Sequence, residues 1–399
     1  MNFSELGLRP YLVAKCERSG FLEPTPIQQK AIPAILAGGD LVGTAETGTG
    51  KTAAFLLPIL QVIAEKDRSG TSVLVLAPTR ELATQIDAEC RKLAPKGITC
   101  SYIIGGSAYG KQIRALKQGV NILIATPGRL IDFMEQGLID LSNVKTLVLD
   151  EADRMLDMGF LPPIKRIVGA VPSDRQTLFF SATMSSEIER VARGLVTDPI
   201  YVEASRRGNA AGTIDQSAYP VGQPYKLPLL LELLEKEDFE RVLVFARTKR
   251  GADRIAHILK KRDHRSNIIH GDRSQSQREA ALRSFKNGKT RILVATDVAA
   301  RGIDVDSVSH VINYDIPTAP EDYVHRIGRT GRAGKAGRAI TLFTLAEEHS
   351  MRAIERLTGQ PVERILLPDF GGWMPKAAGS VGRSSPGTRT RSFGGRRRR

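Results

Sequence analysis

A short glycine-containing segment carries the clearest chemistry in the chain. Residues 45–52 read Ala-Glu-Thr-Gly-Thr-Gly-Lys-Thr, between an apolar run and a stretch that can begin a helix. Gly48 and Gly50 let backbone N–H groups close around phosphate oxygens. Lys51 brings a cation against the terminal phosphates, and the Thr52 hydroxyl can ligate Mg²⁺. The first residue is Ala where the general motif has Gly, but the remainder predicts a site for a nucleoside triphosphate with Mg²⁺.

Two carboxylates follow another apolar run and can complete this site. Asp150 and Glu151 come directly after residues 144–149, which predict a buried strand. Ligand crevices in open α/β sheets lie at the carboxyl ends of the strands. Asp150 can hold Mg²⁺ directly or through water, and Glu151 is suited to orienting and deprotonating an attacking water. Together with the phosphate loop, the pair predicts hydrolysis of the triphosphate.

The pattern repeats along the chain, which indicates two similar lobes. Residues 73–80 match 242–249, and residues 122–126 match 292–296 at nearly the same offset. Short apolar runs followed by polar, periodic stretches are typical of buried parallel strands with crossover helices. The predicted fold class is therefore α/β, with two tandem domains that each contain a parallel sheet flanked by helices; chance similarity of short strands is the alternative to a duplication. Further runs of this kind occupy residues 144–149, 177–180 and 310–313.

The second lobe lacks a complete hydrolytic centre of its own. The offset that relates the lobes leads from Lys51 to position 220, where no Gly-Lys-Thr is found, and Asp315 is followed by Ile and Pro. The second lobe instead carries arginines beside glycines that can reach a γ-phosphate across a cleft and stabilise developing charge. These arginines are Arg326, Arg329 and Arg332.

The net charge of +15 is concentrated at the carboxyl terminus. Residues 371–399 contain Lys376 and seven arginines but no acidic residue, and are otherwise rich in Gly, Ser, Thr and Pro. Such a composition predicts a disordered arm that gains affinity by releasing counterions from nucleic-acid phosphates. A solubilising end is the alternative. Residues 203–213 are small and polar, which predicts a hinge between the lobes.

Composition excludes several other classes of protein. No apolar run approaches the roughly 20 residues that a membrane helix needs, and the first residues have no apolar region of a secretory signal. The odd number of cysteines, Cys16, Cys90 and Cys100, favours reduced thiols in a cytoplasmic protein over a disulfide framework. The six histidines are scattered without metal-ligand spacing.

Together these residues resemble the DEAD-box ATP-dependent RNA helicases of superfamily 2, over roughly residues 3–345. Residues 20–28 are similar to the family's adenine-recognition motif, and residues 150–153 spell Asp-Glu-Ala-Asp. The family's phosphate loop also begins with Ala, whereas Glu46 stands where many members have Gln. The short amino terminus and basic tail look closest to the bacterial RhlE-like subgroup. Further matches lie at residues 78–83, 105–106, 126–129, 181–183, 295–304 and 325–332.

The resemblance implies a domain organisation. Residues 1–205 would form a RecA-like ATP-binding domain, residues 206–213 a hinge linker, and residues 214–368 a second RecA-like domain. Residues 369–399 would form a disordered Arg/Gly/Ser-rich basic tail.

The resemblance also implies roles for single residues. Gln28 would read the adenine edge, Phe21 would stack on its face, and Asp304 would contact the ribose of ATP. Arg329 and Arg332 would act as arginine fingers. The implied catalytic residues are Lys51, Asp150, Glu151, Arg329 and Arg332. The implied nucleotide-binding residues are Phe21, Gln28, Thr47, Gly48, Thr49, Gly50, Lys51, Thr52 and Asp304, with Thr52 and Asp150 at Mg²⁺. Coupling falls to Ser181, Thr183 and His325, and RNA-backbone contacts to Thr79, Arg80, Gly106, Thr126, Arg129, Arg247, Gly271 and Thr296.

The implied activity is RNA-stimulated ATP hydrolysis coupled to local, non-processive separation of short RNA duplexes. The implied partner is RNA of almost any sequence, as single strand or short duplex, together with ribosomal precursors or the RNA-decay machinery. We expect a monomer in the cytoplasm without membrane contact. Two other interpretations remain at this stage: a DNA-directed helicase or translocase, and an RNA-binding or annealing protein without an essential ATPase.

Overall fold

Short, continuously apolar strands build the first lobe. In the computed structural model, residues 2–45, 48–66, 70–203, 214–236, 239–297, 308–331 and 337–371 are described. The strands of the first lobe are β1 (Leu41–Thr44), β2 (Val73–Leu76), β3 (Cys100–Ile103), β4 (Ile122–Ala125), β5 (Thr146–Leu149), β6 (Gln176–Ser181) and β7 (Ile200–Glu203). The helices are α1 (Pro10–Arg18), α2 (Pro26–Leu36), α3 (Lys51–Lys66), α4 (Arg80–Leu93), α5 (Tyr109–Lys117), α6 (Pro127–Glu135), α7 (Ala152–Asp157), α8 (Leu161–Ala170) and α9 (Ser186–Arg193).

The second lobe uses the same kinds of element. Its strands are β8 (Ile214–Pro220), β9 (Val242–Phe245), β10 (Ser266–Ile269), β11 (Ile292–Ala295), β12 (His310–Asn313), β13 (Gly337–Phe343) and β14 (Glu363–Arg364). Its helices are α10 (Lys226–Lys236), α11 (Lys249–Lys261), α12 (Gln275–Lys286), α13 (Pro320–Ile327) and α14 (Glu348–Thr358). Short 3₁₀ turns cover Ser4–Leu6, Gln223–Tyr225, Leu345–Glu347 and Pro368–Phe370.

Each lobe is one parallel sheet covered on both faces. Along β2, Val73 and Val75 face one apolar cluster, whereas Leu74 and Leu76 face another on the opposite side. Successive strand residues point to opposite faces, so a strand that is buried on both faces must be apolar throughout. This explains why the strands read as uninterrupted apolar runs.

The two sheets have the same strand order. The first runs β3-β4-β2-β5-β6-β1-β7 and the second runs β10-β11-β9-β12-β13-β8-β14. The strands matched by the sequence repeat, β2 with β9 and β4 with β11, occupy equivalent positions. The predicted fold class of two tandem RecA-like domains is confirmed. The hinge at 206–213 and nearly all of the tail at 369–399 lie outside the described residues.

One prediction about the cysteines is wrong. Cys90 of α4 and Cys100 of β3 are joined by a disulfide, while Cys16 is a buried free cysteine. The α4 helix leads into β3 through a short connection that brings the two Cα atoms within 6.7 Å. Residue counts reflect the usual redox compartment of a protein, but they contain no information about which side chains the fold brings together.

Among the described residues, no helix has the combination of length and apolar character that spanning a bilayer requires.

Candidate active site

The phosphate loop lies between β1 and α3, at the carboxyl edge of the first sheet. Gly48 and Gly50 have φ angles of 87° and 88°, in the left-handed region that glycine adopts without strain. A Cβ on Gly50 would lie 2.5 Å from the Gln28 amide nitrogen, so this position has no room for a side chain. Lys51 is the first residue of α3, is 5% exposed, and donates from Nζ to the Ala45 carbonyl at 2.7 Å. Thr49 and Thr52 accompany these residues at the helix start, while Thr47 is outside the described part of the chain.

The predicted adenine reader is attached to this loop. Gln28 is the third residue of α2, and its Oε1 accepts the Thr25 N–H at 3.0 Å as part of a capping box. Its Nε2 donates to the Gly50 carbonyl at 3.1 Å. An amide oxygen accepts two hydrogen bonds and an amide nitrogen donates two. The side chain can therefore bind an adenine edge with one acceptor and one donor while it still contacts the phosphate loop.

Phe21, the predicted stacking residue, is half-buried against the core of the first lobe. The Lys92 ammonium lies 5.4 Å from the centre of its ring. Asp304, the predicted ribose ligand, falls outside the described residues. Among the described nucleotide candidates that precede the phosphate loop, Gln28 is thus bonded to the loop, whereas Phe21 packs against the core beside Lys92.

Two carboxylates whose pKa values are shifted in opposite directions follow β5. Asp150 is 2% exposed, and its Oδ1 accepts the N–H of Glu151 at 3.0 Å. Burial raises the pKa of Asp150 to about 6, although the charge of Lys51 opposes the rise. Burial also acts to raise the pKa of Glu151, but nearby cations, Arg154 foremost, outweigh it and lower that pKa to about 2. Glu151 is therefore ionised at neutral pH.

Arg154 is a site residue that the sequence did not single out. Its NH1 donates to Glu151 Oε2 at 2.5 Å, and the two side chains are 3% and 4% exposed. Glu151 has a φ of 53°, which is uncommon for a residue with a side chain, and it caps the helix that carries Arg154. The signal available in the sequence was the separation of only three residues between an acid and an arginine at the start of a predicted helix.

Asp153 connects three predicted motifs. Its Oδ2 accepts the N–H groups of Ala182 at 3.0 Å and Thr183 at 2.9 Å, and the Thr183 hydroxyl at 3.1 Å. Ser181 Oγ donates to the Thr183 carbonyl at 2.6 Å. The His325 Nε2 of the second lobe lies 4.0 Å from the same Asp153 oxygen. Burial, followed by the charge of Arg154, lowers the pKa of His325 to about 4, so this histidine is neutral at pH 7.

The arginines of the second lobe divide into an anchor and a site residue. Arg326 donates to both carboxylate oxygens of Asp297, at 2.5 and 2.7 Å, and to the carbonyl of Asp315 at 2.6 Å. These bonds hold it inside its own lobe, so it is unsuited to reach a phosphate. Arg329 is 3% exposed and lies close enough to Glu151 to lower its pKa. Arg332 lies outside the described residues.

The lobes meet at a cavity of about 10 Å³, comparable to the space that one water needs. It is lined by Arg154 of the first lobe and by residues of the second that include His325 and Arg329. The structure thus brings the catalytic candidates of both lobes to one place. These are Lys51, Asp150, Glu151 and Arg329.

The predicted RNA residues of the first lobe lie on the other half of its sheet. Thr79 follows β2 and caps α4, where its Oγ1 accepts the Leu82 N–H at 3.3 Å. Arg80 begins α4 beside the loop after β3: a Cβ on Gly106, whose φ is 74°, would lie 2.0 Å from Arg80 NH1. Burial, aided by the charge of Arg278, lowers the pKa of Arg80.

Thr126 and Arg129 complete this set after β4. Thr126 is buried and occupies the N-cap position of α6 without a side-chain hydrogen bond to the helix. Arg129 NH1 donates to the Ser107 carbonyl at 3.2 Å, and its guanidinium lies 4.2 Å from the centre of the Tyr109 ring. The three loops that follow β2, β3 and β4 are therefore linked by their own side chains.

The second lobe presents its candidates from the equivalent strands. Arg247 follows β9, Gly271 follows β10 and Thr296 directly follows β11. Because β9, β10 and β11 have the positions of β2, β3 and β4, the RNA candidates occupy one half of each sheet. The phosphate-loop candidates follow β1 and the two carboxylates follow β5, on the other half of the first sheet. The sequence indicated the residues but not this division.

A buried ion pair joins the lobes on the RNA half. Arg278 NH2 of α12 lies 2.9 Å from Glu81 Oε1 of α4, with side chains 10% and 3% exposed. Glu81 is the neighbour of Arg80, so the pair connects a predicted RNA contact of one lobe to the other lobe. No local pattern could have predicted this pairing, because the two residues are distant in sequence.

The fold and site define a two-lobed motor whose nucleoside triphosphate site is completed between the lobes. The DEAD/DEAH box helicase model matches residues 25–191, and the helicase conserved C-terminal domain model matches residues 225–334. The chain is 47% identical over 368 residues to the DEAD-box ATP-dependent RNA helicase CshA of Geobacillus kaustophilus, covering 92% of this chain and 79% of that one. It is 45% identical to CshA of Bacillus subtilis, covering 92% and 74%. The chain belongs to the DEAD-box family of ATP-dependent RNA helicases.

Solved structures place the lobe arrangement in context. The S. cerevisiae Dbp5 structure bound to RNA and ADP BeF3 superposes with a TM-score of 0.84 at 32% identity, over 93% of this chain and 97% of that one. Mss116p bound to ssRNA and AMP-PNP also gives 0.84, at 30% identity, over 92% and 78%. A DEAD box protein from Methanococcus jannaschii gives only 0.54 at 42% identity, over 92% and 99%. A high score over both lobes requires both to superpose at once, so the lobes are arranged as in the nucleotide- and RNA-bound neighbours.

The relatives from Geobacillus kaustophilus and Bacillus subtilis are both named CshA. The RhlE-like subgroup therefore stays a prediction.

Proposed function

We propose that the chain hydrolyses ATP with Mg²⁺ and uses closure of its two lobes to separate short RNA duplexes locally, without processive movement. The observation that carries the proposal is the division of the first sheet into one half that carries the nucleotide candidates and one half that carries the RNA candidates. Both halves are completed by the second lobe, so one closed arrangement assembles both sites. Each ligand then favours the state that the other needs, which is reciprocal coupling between sites.

The oxygen donors at the phosphate loop fit Mg²⁺. A buried Asp150 with a pKa near 6 gains from a cation, and the Thr52 hydroxyl adjoins the phosphate loop. Among the described residues, no group of three or more His, Cys, Asp or Glu side chains could hold a metal alone. Mg²⁺ typically uses one or two protein oxygens together with substrate phosphates. When bound, the ion would neutralise charge on the β- and γ-phosphates.

The carboxylate of Glu151 orients the attacking water. The low pKa of Glu151 makes this carboxylate a weak base while it is paired with Arg154. We therefore infer that Glu151 first positions the water and accepts its proton only afterwards. Lys51 and Arg329 stabilise the charge that develops on the phosphoryl group. Since Arg329 belongs to the second lobe, turnover depends on closure.

We propose that Asp153 couples the ATP site to the RNA site. It holds the backbone of residues 182–183 through three hydrogen bonds and lies beside His325. A change at the neighbouring Glu151 therefore alters contacts of both β6 and the second lobe. We assign the coupling role of Ser181, Thr183 and His325 to this cluster.

The RNA contacts are suited to the sugar–phosphate backbone, because they come from backbone loops, hydroxyls and arginines at strand ends. Such contacts carry little sequence information. Losing one base-pair step costs about 1–2 kcal/mol, so one closure destabilises only a few pairs. Efficient unwinding of a duplex of several turns at limiting enzyme would contradict this proposal.

Replacing the water-orienting carboxylate tests the assignment. We expect Glu151→Gln to bind ATP and RNA but to lose turnover, so that the closed complex accumulates on RNA. Glu189→Gln is a matched control, because Glu189 is an exposed carboxylate on α9 that pairs with Arg193. Turnover at the wild-type rate in the Glu151 variant would contradict the assignment.

One comparison separates the alternatives. ATPase stimulation by RNA and by DNA of the same sequence distinguishes an RNA helicase from a DNA-directed motor. Duplex annealing that is unaffected by Lys51→Ala, together with absent unwinding, would favour an annealing protein instead.

We extend the proposal to the basic tail and the cellular context, on the family resemblance and the charge alone. Deleting residues 371–399 should weaken RNA affinity and flatten its dependence on salt, with hydrolysis chemistry retained. An unchanged salt slope would exclude phosphate contact by the tail. We propose a monomer that works in the cytoplasm on ribosomal precursors or with the RNA-decay machinery; RNAs crosslinked to the Glu151→Gln trap would identify the substrate.

A further inference from the structure

The second lobe retains the positions of a nucleotide site. Its strand β8 has the place of β1, and α10 begins at Lys226 as α3 begins at Lys51. Its strand β12 has the place of β5, and Asp315 follows β12 much as Asp150 follows β5. The Lys226 Nζ lies 3.5 Å from Asp315 Oδ1. The two lobes thus place a lysine and an aspartate at equivalent points.

In the second lobe this lysine binds a carboxylate of the chain itself. The Lys226 side chain is 0% exposed, and its Nζ donates to Glu347 Oε2 at 3.0 Å. Glu347 follows β13, the strand equivalent to β6. The N–H and hydroxyl of Thr344 both donate to the same Glu347 oxygen at 3.0 Å. Burial opposes ionisation of Glu347, but Lys226 and these bonds outweigh it, so its pKa is below the usual range.

The remaining oxygens of the two acids hold Arg247. Asp315 Oδ2 accepts the Arg247 backbone N–H at 2.9 Å, and Glu347 Oε1 accepts from Arg247 NH2 at 2.6 Å. The same NH2 donates to the Ile316 carbonyl at 3.1 Å. A guanidinium has five N–H donors, and these two bonds occupy one amino group. Three donors on an arginine that is 49% exposed can therefore serve an outside phosphate.

We propose that Lys226 and Glu347 are positioning residues for RNA, which act by fixing Arg247. The inference rests on the proposed function, in which Arg247 contacts the RNA backbone. A free arginine side chain loses rotamer freedom when it binds a phosphate. Here the buried Lys226 fixes Glu347, and Glu347 fixes the guanidinium before RNA arrives. The positions of Lys51 and Asp150, which we assign to phosphate and Mg²⁺ in the first lobe, are taken by Lys226 and Asp315 in the second and would there serve RNA binding.

The test separates positioning from general stability. We expect Glu347→Gln to raise the RNA concentration for half-maximal ATPase stimulation about tenfold, the size of one charge-assisted hydrogen bond. The rate at saturating RNA should change less than twofold, as should the KM for ATP. Asp215→Asn is the matched control, since Asp215 forms an exposed ion pair with Arg338 in the same lobe; it should match wild type in all three measurements.

A double-mutant cycle gives the decisive comparison. Arg247→Ala alone should weaken RNA binding, and adding Glu347→Gln to it should weaken binding no further. If Glu347→Gln does not fold, Glu347→Asp keeps the charge but is too short to reach both cations, and the same cycle applies.

The outcomes are distinguishable. Additive losses in the cycle, or an unchanged RNA requirement in the Glu347 variant, would overturn this inference while wild-type stimulation by RNA upheld the proposed function. A wild-type protein that neither binds labelled single-stranded RNA nor is stimulated by it would overturn both.

Discussion

Arg154 offers the sharpest test of how the chain controls its hydrolytic carboxylate. We predict that Arg154→Met raises the pKa of Glu151 and gives the ATPase an acid limb that the wild type lacks in the same range. The pair is almost wholly buried, and its N–O distance is 2.5 Å. Solvent therefore screens the interaction weakly, and removing the arginine should change the pKa of the carboxylate by the full strength of the interaction.

The magnitude follows from Coulomb's law. Two charge centres about 4 Å apart interact by about 4 kcal/mol at an effective dielectric constant near 20. One pKa unit corresponds to about 1.4 kcal/mol, so removal of Arg154 raises the Glu151 pKa by up to about three units. Starting from about 2, the variant's value comes to roughly 5. Burial, the largest influence on this group, acts in the same upward direction.

The assay is kcat against pH at saturating ATP, Mg²⁺ and RNA. Saturating Mg²⁺ keeps Asp150 deprotonated, because a metal ligand must be ionised. The kcat of Arg154→Met should then fall as the pH drops through about 5. The kcat of wild type and of Arg154→Lys should show no such fall in this pH range. Superimposable profiles for wild type and Arg154→Met would refute the view that this arginine sets the pKa of Glu151.

The same pair predicts how stability depends on acid. The folded-state pKa of Glu151 lies below its ordinary value of 4.5, so its contribution is present above 4.5 and is lost as the pH falls toward about 2. That contribution is about 3 kcal/mol at neutral pH. In denaturant titrations, the free energy of unfolding of Arg154→Met should lack this loss below pH 4.5.

Two further predictions concern the RNA half of the molecule. Glu81→Gln and Arg278→Gln should each raise the RNA concentration for half-maximal ATPase stimulation, because each leaves a buried charge unpaired across the lobes. The increase in the double variant should be smaller than the product of the two single increases. An increase equal to that product would contradict a direct pair. Gly106→Ala should displace Arg80 and weaken RNA binding without changing the KM for ATP. Gly137→Ala is the control, because Gly137 also has a positive φ but an added Cβ there would meet no atom within 4 Å; this variant should bind RNA as wild type does.

The elements that carry the first site were predictable because their signals are local. A strand buried on both faces must be apolar throughout, and residues 310–313 form β12 as the sequence predicts. The apolar run at 144–149 predicts a strand that begins two residues before β5 does. Val144 instead belongs to a turn before β5, since its N–H donates to the Leu141 carbonyl. Motif residues at strand ends then fall at one edge, because parallel strands share their direction.

The lysine of the second lobe was missed for a geometric reason. A fixed offset from Lys51 led to position 220, which is the last residue of β8, whereas the equivalent lysine is Lys226. Strand β8 is longer than β1, and the connection to the following helix differs in length, so the sequence offset drifts between the lobes. The fold preserves position in the sheet while loop lengths vary.

Pairs that depend on tertiary packing were outside the reach of sequence patterns. The ion pair of Glu81 with Arg278 and the disulfide of Cys90 with Cys100 exist because helices pack where the sheets place them. The pair of Glu151 with Arg154 is local instead, since Glu151 is the N-cap residue of α7 and Arg154 lies in the first turn of that helix. Local spacing therefore predicted the chemistry, and the long-range contacts that regulate it needed the fold.

The filled site of the second lobe has a consequence for the motor. A lysine whose partner is the carboxylate of Glu347 is unsuited to take a second triphosphate, because that anion would have to displace a bonded one from a buried cation. Among the described residues, the candidates for a hydrolytic centre occur once for the two lobes, and under our proposal Arg329 completes that centre only when the lobes close. One closure would then permit one hydrolysis, and each cycle would oppose the pairing free energy of only a few base-pair steps. Under our proposal, the second lobe keeps the strand positions of an ATP site but uses them to hold Arg247 for RNA, and this arrangement suits local strand separation.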